Sequence, residues 1–258
     1  MTLQAPGTRL QAQRGLALIE ILVVLAIMAL VVGAVLAGSQ ELPAAGLKRS
    51  ATMIASAIKV AYTRATATSR DLRLVMDLDK QRIWLEESDV PMLVQSKDKT
   101  GAAGADPATV AEKAALEEGQ QIVKGPPIPK PKFHPIATFG FGDLEANDPN
   151  GDVKNAKPLQ RKTIFRNVQT THDDTPRTSG RAYLYFWPGG RTELASIQLC
   201  IGKSHKDDEP ATCVDDNDVL SILVAPLTGK VTMKDGPQEL VIPTDDSQQS
   251  DRQDNGFY

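Results

Sequence analysis

One carboxylate stands at the start of a long uncharged segment near the N-terminus. Glu20 follows the basic residue Arg14 and precedes residues 21–40, none of which is charged. In a helix those residues would rise about 30 Å, which is the thickness of the hydrocarbon core of a bilayer. A carboxylate within a membrane helix costs about 2.5–3.5 kcal/mol to insert. Glu20 therefore needs a charged partner or a function.

Three interpretations fit this N-terminal segment. A secretory signal peptide would share the basic start and would be cut after Ala37, but the apolar core of such peptides is usually about 7–15 residues long. A plain membrane anchor explains the length of the run but does not explain Glu20. Cleavage between Gly15 and Leu16 accounts for both features, because it creates a new α-amine four residues before the carboxylate.

Residues 15–27, with the sequence GLALIEILVVLAI, resemble the class III signal of type IV pilins and type II secretion pseudopilins. The resemblance implies that a prepilin peptidase cuts after Gly15 and that the new N-terminus at Leu16 is methylated. Glu20 then takes the fifth position of the mature chain, where the family has its hallmark glutamate. Leu16 and Ala17 depart from the family pattern, which usually has Phe and Thr at these positions.

This scheme gives the charge of Glu20 a partner. In a helical assembly, the Glu20 carboxylate of one subunit would meet the α-amine at Leu16 of its neighbour. Neither charge would then lie alone in hydrocarbon, where removing one partner of a buried pair is costly. The alternative is an unpaired Glu20 whose side chain reaches the membrane interface.

Composition narrows the possible functions. The chain has 258 residues and a formal net charge of −3, which gives no general electrostatic reason to bind nucleic acid or an anionic membrane surface. His134, His172 and His205 are scattered along the sequence. No nucleophile with a base, carboxylate pair or phosphate loop stands out. We therefore predict a protein that is not an enzyme and carries no cofactor.

Beyond the apolar run, the sequence predicts an α+β fold in which a long N-terminal helix, transmembrane and then amphipathic, packs on an antiparallel β-sandwich. Gly38, Pro43 and Gly46 predict a bend or a short break between residues 38 and 46. Residues 47–70 resume a helical period. The apolar face of this second part consists of Leu47, Ala51, Ile54, Ile58, Ala61, Tyr62 and Ala65.

Alternating side chains and turn residues predict the strands. Residues 72–78 and 81–86 form a hairpin around Asp79 and Lys80. The strands of the C-terminal half are predicted at 163–168, 182–187, 194–202 and 219–226, with a last hairpin through 227–229 into 229–233. Between the two groups, residues 96–132 are expected to form a flexible insertion with one short helix at 107–118, and residues 133–160 to be mostly loop.

The predicted division of the chain follows from these patterns. We expect a leader at residues 1–15, a transmembrane and filament-core helix at 16–42, a periplasmic domain at 43–243 and a disordered acidic tail at 244–258. The flexible insertion at 96–132 belongs to the periplasmic domain.

Two stretches resemble the GspH/FimT branch of the pilin-like superfamily. The first is the helix followed by a hairpin with Trp84 in its second strand. The second contains Phe186, Pro188 and Gly190, which fill the "F-x-P-x-G" corner of GspH-type domains, and residues 223–231, which resemble the closing strand pair. The resemblance implies a minor subunit with a pilin-like fold.

The two cysteines lie close together in a chain that would export its bulk across a membrane. Cys200 and Cys213 therefore favour one disulfide, with two free thiols as the alternative. His205 lies between them, but two cysteines and one histidine make a poor zinc site. The resemblance to pseudopilins, some of which bind calcium, makes Asp215, Asp216 and Asp218 weak candidates for a calcium site.

The resemblance as a whole implies a minor pseudopilin of a type II secretion system, at or near the tip of a periplasmic pseudopilus that helps drive protein export. It would be a single-pass protein of the bacterial inner membrane before assembly, with its C-terminal domain in the periplasm. The implied partners are other minor pseudopilins, the major pseudopilin, prepilin peptidase and the inner-membrane assembly platform. Alternatives are a minor type IV pilin that primes pilus assembly or DNA uptake, and a signal-anchored periplasmic binding module.

Overall fold

A computed structural model of the chain describes most of it in two compact units, which divide between Leu42 and Pro43. The described residues are 13–38, 43–88, 90–92, 104–122, 130–137, 153, 156–173, 175–203, 212–215 and 218–240. The acidic tail predicted at 244–258 lies outside them. Of residues 38–46, where a bend or a short break is expected, residues 39–42 also lie outside them, and residues 43–46 are helical.

The first unit contains helix α1, Gln13–Gly38. Its only charged residues are Arg14 and Glu20, and the helix begins two residues before Gly15. The described side chains from Leu18 to Val32 are exposed to solvent. Judged by length and apolar character, none of the helices in the described part of the chain qualifies as a membrane span.

The second unit begins with helix α2, Pro43–Thr68. Proline suits the first turn of a helix, because the amide that it lacks has no partner there. The helix ends where Ser69 adopts a left-handed φ of 54°. The predicted apolar face is confirmed: Leu47, Ala51, Ile54, Ile58, Ala61 and Ala65 are buried, and Tyr62 is half-buried.

After α2, the described residues form one further helix and ten strands. The helix is α3, Val110–Ile122. The strands are β1 (Asp71–Asp77), β2 (Arg82–Ser88), β3 (Phe133–Pro135), β4 (Lys157–Pro158), β5 (Thr163–Thr170), β6 (Arg181–Trp187), β7 (Arg191–Thr192), β8 (Ala195–Ile201), β9 (Val219–Val224) and β10 (Val231–Asp235).

These strands form two antiparallel sheets. The first has the order β3-β2-β1-β6-β7, with β4 also paired to β2, and the second has the order β10-β9-β8-β5. α2 contacts strands of both sheets, and one continuous apolar core contains side chains from α2, from the first sheet and from the second. The predicted α+β architecture, a helix packed on antiparallel sheets, is confirmed.

Side chains of the first sheet alternate between two faces. Glu87 on β2 binds Arg64 of α2 at 2.9 Å, and its neighbours in register, Leu72 and then Phe186, therefore also face α2. The opposite face carries Arg73, whose guanidinium lies 4.3 Å from the centre of the Phe133 ring.

The structure differs from the sequence-based expectation in the middle of the chain. Residues 104–122 were expected to be flexible, yet they include α3 and the buried side chains of Ala105 and Glu112. The predicted helix is present, but it begins and ends three to four residues later than expected. In the segment expected to be loop, β3 and β4 add short antiparallel pairs to β2.

Candidate functional site

The N-terminal motif lies on α1. Gly15 and Leu16 belong to the first turn of the helix, and Glu20 lies one turn further on. The rise from Leu16 to Glu20 is about 6 Å along the axis. The Glu20 side chain is exposed. An α-amine created at Leu16 would therefore lie on the same side of the helix as the carboxylate, one turn before it.

The surroundings of Glu20 on α1 are entirely apolar. The large apolar side chains that the structure describes on this helix are all about half exposed or more: Leu18, Ile19, Ile21, Leu22, Val23, Val24, Leu25, Ile27, Met28, Leu30, Val31 and Val32. A helix that is apolar on every side requires an apolar environment, either lipid or the apolar faces of other helices. In such an environment, a single carboxylate selects for a cationic partner.

The predicted corner at Phe186, Pro188 and Gly190 lies at the turn between β6 and β7. Gly190 has a φ of 71°, a left-handed conformation that residues with a Cβ rarely adopt. Its carbonyl accepts a hydrogen bond of 2.8 Å from the hydroxyl of Tyr62 on α2. The glycine of this corner is thus required by backbone conformation, and Tyr62 fixes the turn to the helix.

Tyr62 also contacts the turn between β9 and β10. A Cβ built on Gly229 would lie 2.6 Å from the Tyr62 ring, so only glycine leaves room for it. The Tyr62 hydroxyl is 3.4 Å from the carbonyl of Leu227. In addition, the amide of Thr192 donates to the carbonyl of Pro226 at 2.7 Å. The turns of the two sheets therefore meet at one aromatic side chain of α2.

Cys200 and Cys213 form a disulfide, with an S–S distance of 2.02 Å and a sequence separation of 13. Cys200 lies on β8. Of the calcium candidates, Asp215 and Asp218 are among the described residues, whereas Asp216 lies outside them. His205, the zinc ligand considered from the sequence, also lies outside the described residues. The described residues contain no group of three or more potential metal ligands, and the calcium site stays a prediction.

The structure also contains a buried charged pair that the sequence analysis did not identify. Arg73 on β1 lies opposite Glu86 on β2, and its Nε is 2.7 Å from Glu86 Oε2, with both side chains at most 5% exposed. The other oxygen of Glu86 accepts a hydrogen bond of 2.7 Å from the indole of Trp84. Such pairing offsets the large cost of removing two charges from water.

Aromatic rings enclose the Arg73 guanidinium. Its central carbon lies 4.3 Å from the centroids of both the Phe133 and the Tyr183 rings, a geometry that favours a cation. Burial acts to lower the pKa of Arg73, but the charge of Glu86 and the contributions of Tyr185 and Tyr183 together outweigh burial and raise that pKa above its ordinary value. The arginine therefore stays charged inside the protein.

Glu112 connects α3 to this same face of the sheet. Its Oε2 accepts hydrogen bonds from the amides of Ala108 (2.8 Å) and Thr109 (3.3 Å), while its own amide donates to Thr109 Oγ1 at 3.2 Å. This is a capping box of the form Thr-x-x-Glu. Its Oε1 accepts a hydrogen bond of 2.6 Å from the Tyr183 hydroxyl. Glu112 thus both caps the N-terminus of α3 and fixes the helix to β6.

A buried histidine lies beside the aromatic row of β6. His172 Nδ1 is 2.7 Å from Glu193 Oε1, and its Nε2 is 3.7 Å from Asp173 Oδ2. Arg177 in turn donates to Asp173 at 2.9 Å. The His172 ring meets the Tyr185 ring edge to face, with centroids 5.4 Å apart.

The carboxylates around His172 control its protonation. Burial acts to lower the pKa of His172, but the hydrogen bond and charge of Glu193, together with the charge of Asp173, outweigh burial and raise that pKa. With the proton on Nδ1, the ring donates to Glu193. Nε2 is buried without a hydrogen-bond partner among the described residues, and the charge of Asp173 acts on it across 3.7 Å.

Sequence reasoning missed this network for a definite reason. Arg73, Glu86 and Tyr185 alternate with apolar side chains, and alternation is typical of a strand with one face in water. Here the second face is covered by residues distant in sequence. The signal that could have revealed the cover is the Thr109-x-x-Glu112 capping box, which predicts a helix start inside the supposedly flexible insertion.

Comparison with protein families identifies the N-terminal segment. Residues 10–36 match the family described as the prokaryotic N-terminal methylation motif. The match includes Gly15, Leu16 and Glu20, and it confirms the expected resemblance of this segment to the precursors of pilins and pseudopilins. It covers the N-terminal helix and does not extend to the second unit of the chain.

Comparison with whole proteins gives weaker similarities. No curated protein is significantly similar to the chain. Two solved structures of the minor pseudopilin EpsH from the type II secretion system of Vibrio cholerae are similar to this chain at 12% sequence identity. Each alignment includes 75% of this chain and 98% or 96% of the EpsH chain. The TM-scores are 0.36 and 0.35.

Proposed function

We propose that the protein is a minor pseudopilin of a type II secretion system, a structural subunit at or near the tip of the periplasmic pseudopilus. The observation that carries the proposal is the N-terminal methylation motif at residues 10–36, in which Glu20 is the single carboxylate of α1. The glycine corner at Gly190, fixed to α2 by Tyr62, supports the GspH-type branch.

In this function, prepilin peptidase cuts the bond between Gly15 and Leu16, and the amine of Leu16 is then methylated. Before assembly, α1 anchors the protein in the inner membrane, and the second unit lies in the periplasm. During assembly, Glu20 pairs with the N-terminal amine of a neighbouring subunit. Each pairing removes two lone charges from an apolar environment, which makes incorporation favourable.

The proposed partners follow from this mechanism. They are the major pseudopilin and other minor pseudopilins, whose apolar helices would cover the exposed side chains of α1. The inner-membrane assembly platform would add the subunits, and growth of the filament would help move cargo outward. The work of the protein is mechanical, and the proposal assigns it no catalytic step, metal or nucleic acid.

Mass spectrometry of the mature N-terminus tests the processing step. The expected result is a chain that begins at Leu16 and carries one methyl group on its amine. A Gly15→Ala variant is the matched control, because it should retain the leader. A mature start at Gly38, or an intact leader in the wild-type protein, would sink the proposal.

Replacement of Glu20 tests assembly. Glu20→Ala should be processed normally but fail to enter filaments, and Glu20→Asp should retain part of the incorporation, because it keeps the charge. Incorporation is measured by the amount of this protein in sheared and purified pseudopili. A signal-anchored binding module would instead be unaffected by Glu20→Ala.

The methylation motif also occurs in minor type IV pilins, and deletion of the gene distinguishes the two systems. Loss of secretion with normal surface pili supports the pseudopilin function. Loss of pili or of DNA uptake with normal secretion would instead indicate the pilin alternative.

A further inference from the structure

A surface groove runs between α2 and the start of β10. One wall consists of side chains of α2, and the other of residues from the turn that precedes β10. The residues that line it are Thr52, Ala55, Ser56, Lys59, Tyr62, Thr63, Thr228, Gly229, Lys230 and Val231. None of them belongs to the N-terminal motif or to the buried network under α3.

The charge of this groove has one sign. Lys59 and Lys230 stand on opposite walls, both are exposed, and none of the described residues that line the groove carries a carboxylate. α2 itself carries Lys48, Arg49, Lys59 and Arg64 and no acidic residue. A ligand in the groove therefore meets positive potential from both sides, which favours an anionic ligand.

The strand beside the groove is open on one edge. β10 pairs with β9 and with no other strand among the described residues. After β10 the chain turns away across the second sheet: the Gln238 carbonyl accepts from Ser196 of β8, and the Leu240 amide donates to Gln169 of β5. The described part of the chain thus leaves the outer edge of β10 able to accept another strand.

The walls of the groove are already in place. The hydroxyls of Thr52, Ser56 and Thr63 donate to carbonyls of their own helix at 2.8, 2.8 and 2.9 Å. Tyr62 holds the turn before β10 through its contact with Gly229. Binding would therefore require little ordering of side chains on this protein, which lowers its entropic cost.

We propose that this groove binds an extended, acidic segment of a partner polypeptide, which adds a strand to the open edge of β10. Main-chain hydrogen bonds to β10 supply affinity, as in other complexes that form by strand addition. Carboxylates of the segment pair with Lys59 and Lys230, which selects acidic sequences. The proposal goes beyond the function proposed above and does not depend on it, because the groove belongs to the second unit.

A polypeptide suits the groove better than a nucleic acid. Single-stranded nucleic acids are bound by aromatic side chains on which bases stack, together with a track of cations. Among the described residues of the lining, Tyr62 is the only aromatic one, and its hydroxyl and ring hold two turns of the protein. The open edge of β10, in contrast, can form the hydrogen bonds of a β-sheet only with a polypeptide backbone.

Peptide binding to the full-length protein in detergent micelles tests the proposal. The probe is a labelled heptapeptide of alternating Glu and Thr, and the first control has Gln in place of Glu. We expect the acidic peptide to bind about fivefold more tightly, as two exposed ion pairs would provide, and to do so less well at high salt. Bound peptide should slow amide hydrogen exchange in Val231–Asp235.

A second control separates backbone pairing from charge alone. The same acidic peptide with alternate amides N-methylated cannot donate to β10, and it should lose both affinity and the protection of β10. Lys59→Glu and Lys230→Glu should each weaken binding, whereas Lys59→Arg should retain it. Lys48→Glu is the matched control, because it makes the same charge change on the same helix outside the groove.

The result that overturns the proposal is any of four outcomes. These are equal affinity for the Glu and Gln peptides, full binding by the N-methylated peptide, an equal loss with Lys48→Glu, and tighter binding of a single-stranded oligonucleotide than of the acidic peptide. None of these outcomes bears on whether the chain is cut before Leu16. The groove proposal and the proposed function can therefore be contradicted independently of each other.

Discussion

The two faces of the first sheet are both buried, but by different chemistry. On the face toward α2, Leu74 pairs with Leu85 and Leu184, and all three are fully buried. On the opposite face, one residue along the strand, Arg73 pairs with Glu86 and Tyr185, which are also buried. A single strand therefore stabilises the fold by apolar packing on one side and by paired charges on the other.

The two faces should therefore tolerate amino-acid substitutions differently. On the apolar face, a truncated side chain loses the transfer free energy of the removed atoms and leaves a cavity, but it leaves no uncompensated charge. In a buried charge network, each charged residue stabilises the fold only while its partner is present. The sharpest experiments are those that remove one partner at a time.

The largest effect is expected at Arg73. Arg73→Met leaves the carboxylate of Glu86 buried without its cation, and removing one partner of a buried pair costs about 3–5 kcal/mol of the free energy of unfolding. Urea denaturation measures the loss. The double variant Arg73→Met/Glu86→Gln should recover part of it, because no lone charge remains; a double variant as unstable as the sum of both single variants would contradict the pairing.

A smaller effect is expected on the apolar face. Leu74→Ala opens a cavity beneath α2 and should cost about 3 kcal/mol, within the usual range for buried leucines. Denaturation with the same denaturant gives a direct comparison with Arg73→Met. Leu74→Met keeps the volume and should cost less than about 1.5 kcal/mol. No second substitution on the partner strand should restore Leu74→Ala, in contrast to the charged face.

A third experiment tests the attachment of α3. Tyr183→Phe removes the hydrogen bond to Glu112 and should cost about 1.5–3 kcal/mol, as for a hydrogen bond to a charged group. The loss should be local, so amide hydrogen exchange should become faster in α3 and stay unchanged in α2. Tyr62→Phe is the control with the same chemical change on the other side. Unchanged exchange in α3 would show that Glu112 does not hold the helix to the sheet.

The smallest effect is a pH dependence at His172. Its pKa in the folded protein is raised above the ordinary value of 6.5. The stabilisation from the protonated ring is therefore fully present below pH 6.5 and is lost as the pH rises through the folded pKa. We expect the free energy of unfolding to fall over that range in the wild-type protein.

The His172→Gln variant provides the comparison, because glutamine does not titrate. Its free energy of unfolding should lack this decline, while Glu193, Asp173 and Arg177 still surround the site. NMR titration of the ring gives the pKa directly. An equal decline in both proteins would place the titrating group elsewhere.

Local patterns were enough to predict much of the fold. α2 was predicted because Leu47 through Ala65 repeat at a helical period, and the hairpin of β1 and β2 because its alternation and turn occur within about twenty residues. The requirement for glycine at residue 190 was visible as part of a corner motif, although its cause, a φ of 71° beside Tyr62, is seen only in three dimensions.

The buried network could not be predicted in the same way. Glu112 belongs to the segment 96–132, which has no apolar period, and charged side chains such as Arg73 and Glu112 are ordinarily expected in water. Their burial depends on a cover formed by α3 and by Phe133 of β3. No local pattern indicates which of two alternating faces a distant helix will cover.

Tyr62 has a further consequence for how the second unit opens. Its hydroxyl bonds the first sheet at Gly190, and its ring lies against the second sheet at Gly229. Withdrawal of this side chain would release both turns in one event. The two sheets are therefore joined into one cooperative unit, and subglobal opening should expose the amides around Gly190 and Gly229 together, with a single free energy, rather than sheet by sheet.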